Sequence, residues 1–202
     1  MPTRFALTFD YLCPFARNAN EFVLEGLRAG ADWDVTFTPY SLAQGHVAEG
    51  QPDVWDADDP TTVSGIHALL VGLAVRDAFP DHFLDVHEAL FAARHDAGRD
   101  LKDADVLRDV LASVGLDPEV VLAAVVNGEP FDTLRKEHER NVSDHDVWGV
   151  PTFIAGDRAV FIRLLDRPAG DGAAAIERIE RIVELVADVP DLHEFKQTDL
   201  PV

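Results

Sequence analysis

The sequence predicts an α/β fold in which helices pack on a mixed sheet and a block of helices is inserted into the middle of the chain. Three observations carry this prediction. Alternating apolar runs typical of strands occur near both ends of the 202 residues. Residues 62–142, between them, have helical spacing almost throughout, and a strongly periodic helix follows the last strands. The length suffices for one domain with an inserted subdomain.

The N-terminal part has the pattern of a β-α-β unit. Residues 4–9 form a short strand, and residues 14–29 have helical spacing that stops at Gly30. Pro14 suits the first turn of that helix, because its missing N–H would be unpaired there anyway. Residues 33–40 alternate and are rich in β-branched and aromatic side chains, which predicts a second strand. A loop rich in Gly, Asp and Pro follows over residues 45–60.

The rest of the chain divides into a helical block and a second strand region. Gly and Pro residues separate five helical stretches, 62–79, 83–94, 103–114, 118–126 and 130–142. Residues 150–155 and 159–164 flank a Gly156–Asp157 turn and predict a β-hairpin, and residues 173–188 predict the final helix. We therefore assign residues 1–60 and 143–202 to a sheet-containing domain and residues 61–142 to an all-helical insertion.

Composition and charge exclude several classes of partner. The net charge of −20 repels nucleic acid and anionic membranes, so we expect neither as a partner. No apolar run is long enough to span a membrane, and residues 1–12 lack the pattern of a signal peptide. A single cysteine allows no intramolecular disulfide, which agrees with a reducing compartment. The sequence therefore predicts a cytoplasmic protein.

The eight histidines do not predict a metal site. His82 and His87 are five residues apart and His138 and His145 are seven apart, and neither spacing is a recognised ligand pattern. His87 falls on the apolar face of its helix, which favours a hydrogen-bonded core histidine. We expect no bound metal and no tightly bound cofactor.

Cys13, the only cysteine, lies where the first strand gives way to the first helix. A thiolate at a helix N-terminus is stabilised by the helix dipole and by unpaired N–H groups, which can lower its pKa to about 3.5–7.5. The amides of Phe15 and Ala16 are placed to supply such groups. We therefore expect a thiol close to the surface with a lowered pKa, the alternative being a buried structural cysteine.

Two short segments carry a resemblance to a known family. CPFA at residues 13–16 and GVPTF at residues 149–153, with a helical insertion between them, resemble the DsbA-type thioredoxin-fold family. That family includes FrnE-like oxidoreductases, hydroxychromene carboxylate isomerases and kappa-class glutathione transferases. The resemblance implies a thioredoxin-like fold with a DsbA-like helical subdomain. It also implies that Val150 and Pro151 form a cis-proline loop opposite Cys13, although a trans proline at a strand start is the simpler alternative.

The sequence departs from the family pattern at Ala16, where dithiol members have a second cysteine. Without a resolving thiol the chain cannot cycle alone as a dithiol oxidase. We predict a monothiol oxidoreductase that works through Cys13 and is regenerated by a small thiol such as glutathione or mycothiol. The alternatives are a thiol-dependent transferase or isomerase, whose relatives usually have serine in place of Cys13, and a non-catalytic binding module. The substrate is a small thiol or disulfide, and the protein is a monomer or a homodimer.

Further residues complete the predicted binding site. Phe15 and Trp148 would line an apolar groove beside the thiol, and Tyr11, two residues before the cysteine, would add a phenol. Pro14 and Ala16, and Thr152 after the proline loop, complete the predicted thiol-binding residues.

His145 lies six residues before Pro151, so the same loop can bring it towards Cys13 as a charged or neutral imidazole. A solvated loop histidine is the simpler interpretation. Asp166, with Arg163 and Arg167, precedes the last helix, where the resemblance implies a grip on the thiol cosubstrate; a salt-bridged loop is the alternative.

Overall fold

A computed structural model describes residues 2–191 of the chain. The strands are β1 (Thr3–Phe9), β2 (Trp33–Pro39), β3 (Thr152–Ala155) and β4 (Arg158–Phe161). The helices are α1 (Pro14–Arg28), α2 (Leu42–Gly45), α3 (Ile66–Ala78), α4 (Pro80–His95), α5 (Ala104–Ser113), α6 (Pro118–Val126), α7 (Glu129–His145) and α8 (Gly172–Asp188), with single 3₁₀ turns at Val54–Asp56 and Pro60–Thr62. The chain thus forms the mixed α/β fold that the sequence predicts.

The four strands form one sheet in the order β2-β1-β3-β4. The central strand β1 runs parallel to β2 and antiparallel to β3, so that Leu7 lies between Phe37 and Phe153. The hairpin of β3 and β4 completes the sheet. Helices α1 and α8 pack against each other and against the sheet strands. The end of β1 leads directly into α1, which places Cys13 at the edge of this core.

The five helices α3 to α7 lie between β2 and β3 in the chain. The run IHALLVGLAV, predicted to be a buried helix, forms most of α3, and all ten of its residues are buried. A helix that is apolar all round is stable only inside a core, and here α4, α6 and α7 pack around it. Among residues 2–191, no helix is long and apolar enough to cross a membrane.

Several boundaries differ from the prediction for local reasons. The helix predicted over residues 62–79 begins only at Ile66, because its N-cap Gly65 has a φ of 85°, a left-handed conformation that glycine adopts readily. Pro80 lies at the boundary between α3 and α4, as predicted, but as the first residue of α4, where its missing N–H costs nothing. Helix α7 continues to His145. A short helix that the sequence did not predict, α2, precedes the predicted loop, and its first turn is capped by the Ser41 hydroxyl accepting from the Gln44 amide.

Candidate functional site

Cys13 is the N-cap residue of α1. It is the last residue of the short link between β1 and α1, its backbone is extended, and its amide donates to the carbonyl of Asp10. The Ala16 amide donates to the Cys13 Sγ at 3.4 Å, which is the capping geometry expected of a side-chain acceptor at this position. Pro14 takes the N1 position and is exposed, whereas Phe15 is half-buried. The helix start therefore directs its free amides at the sulfur, as the sequence predicts.

The Val150–Pro151 loop lies directly opposite the thiol. The peptide bond between these two residues is cis, and the Cys13 Sγ donates to the Val150 carbonyl oxygen at 3.4 Å. Thr152 fixes the loop to the sheet, since its amide donates to the Thr8 hydroxyl at 2.7 Å and its own hydroxyl donates to the Gly149 carbonyl at 2.8 Å. Thr152 is buried and both of its polar groups are used, so it holds the loop rather than facing a ligand.

The thiol is less exposed and less acidic than the sequence predicts. Only 8% of the Cys13 surface is accessible, because the Val150 loop covers the sulfur. Burial raises the pKa of the thiol above its ordinary value, and the negative charge of Asp10 adds to this effect. The amides of Ala16 and Phe15 and the charge of Arg163 act in the opposite direction but do not outweigh burial. The expectation of a surface thiol with a lowered pKa is therefore wrong.

A model of the DSBA-like thioredoxin domain matches residues 6–184, which is most of the chain. The chain belongs to this family. The matched residues include Cys13, helix α1, the helices α3 to α7 and the Val150–Pro151 loop. The resemblance inferred from two short motifs is thereby confirmed at the level of the family and its fold.

Individual relatives of this DsbA-like domain are distant. An uncharacterized protein of Mycobacterium tuberculosis, Rv2286c, is 25% identical over 194 residues, covering 96% of this chain and 81% of that protein. The structure of reduced DsbA1 from Neisseria meningitidis superimposes with a TM-score of 0.60 at 17% identity, covering 92% of this chain and 84% of the other. A 2-hydroxychromene-2-carboxylate isomerase gives a TM-score of 0.64 at 14% identity, covering 94% and 100%. At these identities the structures establish the shared fold.

In this DsbA-like domain the two predicted aromatic side chains each stack on a neighbour, Phe15 on an arginine and Trp148 on a phenylalanine. The Arg163 guanidinium lies over the ring of Phe15, with its Cζ 5.3 Å from the ring centroid. Trp148 is 67% exposed and packs on Phe161, their ring centroids 4.5 Å apart. Both predicted aromatic residues, Phe15 and Trp148, are therefore partly exposed, and the Arg163 guanidinium lies over the ring of Phe15.

Tyr11 does not face the thiol. Its ring is fully buried, and its hydroxyl lies 2.9 Å from Nδ1 of His87 on α4. His87 in turn approaches the Asn20 side-chain oxygen through Nε2 at 2.9 Å. Burial lowers the pKa of His87 to about 3, so the imidazole is neutral and carries its one proton on Nε2, the nitrogen that faces an acceptor. Tyr11 therefore donates to Nδ1, and the prediction of a hydrogen-bonded core histidine at position 87 is confirmed.

His145 makes no hydrogen bond to the thiol within residues 2–191. His145 is the last residue of α7 rather than a loop residue, and its Nδ1 is buried with no hydrogen-bond partner within residues 2–191. Its position therefore gives it no direct role at the Cys13 sulfur.

Residues 2–191 contain no group of three or more His, Cys, Asp or Glu side chains placed to hold a metal ion.

The segment around Asp166 is tied to α1 by its neighbours. Asp166 itself is exposed. Arg167 donates to both oxygens of the buried Glu21 carboxylate, at 2.6 and 2.8 Å, and to Asp96 at 3.3 Å. Arg17 reaches the same two carboxylates from the other side, at 2.8 and 2.5 Å. The salt-bridged loop considered as an alternative is present, and it is anchored to the helix that begins at Cys13.

Asp10 is a site residue that the sequence reasoning missed. It is buried beside the thiol, and its carboxylate accepts from the amides of Leu12 and Leu42 at 2.9 and 2.8 Å. Burial raises its pKa to about 6 despite these two donors. The available signal was an acidic residue at the end of an apolar strand, three positions before the cysteine. A carboxylate there must either be exposed or be held by backbone amides, and this one is held.

Proposed function

We propose that this DsbA-like domain is a monothiol thiol–disulfide oxidoreductase that works through Cys13. The observation that carries the proposal is the position of the chain's only thiol, which caps α1 and lies 3.4 Å from the Val150 carbonyl beside the cis Pro151 bond. The amide of Ala16 aims at the same sulfur and can stabilise a thiolate. The family and fold support thiol chemistry in general.

The proposed cycle has two balanced exchange steps. The Cys13 thiolate attacks one sulfur of a disulfide RS–SR′, so that a Cys13–S–SR bond forms, the RS–SR′ bond breaks, and R′S⁻ leaves and takes a proton from solvent. Cys13 is oxidised in this step and the R′S half is reduced. An external thiol R″S⁻ then attacks the outer sulfur, releases RS–SR″ and regenerates the Cys13 thiolate. The external thiol is required because Ala16 stands where a resolving cysteine would lie.

A second candidate is a thiol-dependent transferase or isomerase acting on a small electrophile. The raised pKa of Cys13 favours it, since a protonated thiol can donate a hydrogen bond to the sulfur of a bound cosubstrate. In this function the cosubstrate thiol, and not Cys13, is the nucleophile. The fold shared with a 2-hydroxychromene-2-carboxylate isomerase supports this candidate. Glutathione and mycothiol are the cosubstrates to test, and the cytoplasmic location stays a prediction.

Intact-mass measurements after exposure to a disulfide separate the two candidates. For both we expect iodoacetamide to modify Cys13 with a pH midpoint above that of a free thiol, because burial raises the pKa. Only the monothiol oxidoreductase should form a mixed disulfide. Oxidised glutathione or mycothiol disulfide should add one adduct per chain, which excess thiol removes. Cys13→Ser is the control and should form none.

The opposite result would exclude the redox proposal. If neither disulfide forms an adduct at any pH at which the protein is folded, Cys13 does not exchange. Activity of the Cys13→Ser variant on an electrophile, with a reduced thiol present, would then establish the transferase or isomerase candidate.

A further inference from the structure

A cavity of about 290 Å³ opens where the link between β1 and α1 meets the helical block. Its walls come from that link, the start of α3, the end of α4 and the link between α4 and α5. The lining residues that matter here are Leu12, Ser64, Gly65, Arg94, Asp100 and Lys102. Cys13 and the Val150–Pro151 loop do not line this cavity, so thiol chemistry does not account for it.

Two of the lining side chains are cations without an anionic partner. Arg94 and Lys102 form no salt bridge within residues 2–191, although nine other arginines in this part of the chain pair with Asp or Glu. Asp100 is the acidic residue of the lining, and its carboxylate accepts from the Lys102 backbone amide at 3.0 Å. Two cations thus face one carboxylate, and the cavity is locally positive in a chain whose net charge is −20.

The wall at the start of α3 adds hydrogen-bond donors to these charges. Gly65 is the N-cap of α3 and supplies no side-chain acceptor, whereas side chains cap α1, α5, α6 and α8. The first N–H groups of a helix have no partner inside the helix, and together with the helix dipole they favour an anion. Ser64 is exposed, and its hydroxyl makes no hydrogen bond in the part of the chain that the structure describes, so it is free to donate.

We propose that this cavity binds a phosphate group, either as free phosphate or as part of a small phosphorylated molecule. An arginine fork, a lysine point charge, a hydroxyl and helix amides suit the several oxygens of a phosphate dianion better than the two of a carboxylate. The volume lies near the lower end of small-molecule pockets, which leaves room for a few atoms besides the phosphate. The inference goes beyond the proposed thiol chemistry and does not depend on it.

The test titrates inorganic phosphate into the full chain by isothermal titration calorimetry at pH 8 and constant ionic strength. We expect one saturable site per chain with a dissociation constant of about 1 mM or lower. Malonate, a dicarboxylate, should bind at least about tenfold more weakly. Glycerol phosphate distinguishes the two sources: binding as tight as that of phosphate, or tighter, supports a small phosphorylated molecule, and weaker binding supports free phosphate.

The chain offers a matched control for the loss of two positive charges. Lys136 and Arg140, both on α7, are also exposed and form no salt bridge within residues 2–191, and neither lines the cavity. The double variants Arg94→Gln/Lys102→Gln and Lys136→Gln/Arg140→Gln therefore change the net charge equally. We expect the first to weaken phosphate binding about tenfold and the second by no more than about twofold.

A third variant separates loss of binding from loss of the fold. Ser64→Asp places a carboxylate in the cavity at the start of α3, where the helix dipole stabilises negative charge. We expect it to abolish phosphate binding while Tm stays at or above that of the unsubstituted protein. Cys13→Ser should bind phosphate as tightly as the unsubstituted protein, so a failure of the redox function would leave this inference standing.

Four results would overturn the proposal. If no heat of binding is detected up to about 10 mM phosphate, the cavity is not a phosphate site. Equal weakening by the two double variants would show general attraction to positive charge and no specific site. Malonate binding as tight as phosphate binding would contradict the phosphate assignment. Full binding by a folded Ser64→Asp variant would place the phosphate elsewhere.

Discussion

The buried hydroxyl of Tyr11 gives the most direct test of how the thiol helix is attached to the helical block. Tyr11→Phe removes the donor to His87 Nδ1 and leaves the ring packing intact. Nδ1 is then a buried acceptor without a partner, because Nε2 is already engaged by Asn20. Leaving one buried polar group unsatisfied costs about 1–3 kcal/mol. We expect the free energy of unfolding to fall by that amount.

Urea denaturation followed by circular dichroism measures this change, with Tyr40→Phe as the matched control. The two tyrosines are the only ones in the chain, and both are buried. The Tyr40 hydroxyl makes no hydrogen bond within residues 2–191, so its removal should change stability by no more than about 0.5 kcal/mol. For a chain of this size, each kcal/mol should also lower Tm by about 2–4 °C.

The reasoning is refuted if Tyr11→Phe is as stable as Tyr40→Phe. The hydrogen bond to His87 would then contribute nothing net. A second refutation is functional: if Tyr11→Phe changes the rate of Cys13 alkylation while stability is unaffected, the phenol faces the thiol as the sequence suggested. We expect the alkylation rate to be unchanged.

Two further predictions concern Asp10, next to Tyr11 in the sequence, and Gly72, which lies against the Tyr11 hydroxyl. Burial raises the pKa of Asp10 to about 6, so the folded chain holds this proton more tightly than the unfolded chain does. Ionisation of Asp10 should therefore lower the free energy of unfolding by about 3 kcal/mol as the pH rises from about 4 to about 6. The unfolding free energy of the unsubstituted protein minus that of Asp10→Asn should therefore fall by about 3 kcal/mol across that window, and a constant difference would contradict the raised pKa. Gly72→Ala should destabilise the protein by about 1–3 kcal/mol in urea denaturation, because the added methyl group would clash with the Tyr11 hydroxyl. A loss in the double variant with Tyr11→Phe that is smaller than the sum of the two single losses would support the clash, and additive losses would contradict it.

Local patterns were enough to predict the elements that position the thiol. The alternation in β1, the proline at the start of α1 and the periodicity of α8 each depend on neighbours in sequence, and each element lies where it was expected. The position of Cys13 at the start of α1 followed from the same reasoning, and the structure makes it the N-cap residue. The family itself required the two motifs together, because their relation across the fold is what distinguishes them from isolated Cys-Pro and Val-Pro pairs.

Long-range contacts set the features that the sequence could not predict. Tyr11 is two residues from the thiol in sequence, yet its hydroxyl is paired with His87, 76 positions away. Arg163 was expected in a charge cluster with Asp166 and Arg167, and only the fold shows that its guanidinium lies over the Phe15 ring. The same holds for Glu21, an apparent surface residue of α1 that is buried by Arg17 and Arg167.

The state of the Cys13 sulfur follows from two contacts that favour opposite protonation states. The Ala16 amide stabilises a thiolate, whereas the Val150 carbonyl can only accept from a thiol. Burial adds to the second, since it disfavours the charged form, and the pKa is raised as a result. Helix capping predicts only the contact from the Ala16 amide, which is why the sequence predicted a lowered pKa for Cys13 and not a raised one. A disulfide partner that displaces the Val150 contact would leave the amides of Ala16 and Phe15 and the charge of Arg163 favouring the thiolate that exchange requires, against burial and the charge of Asp10.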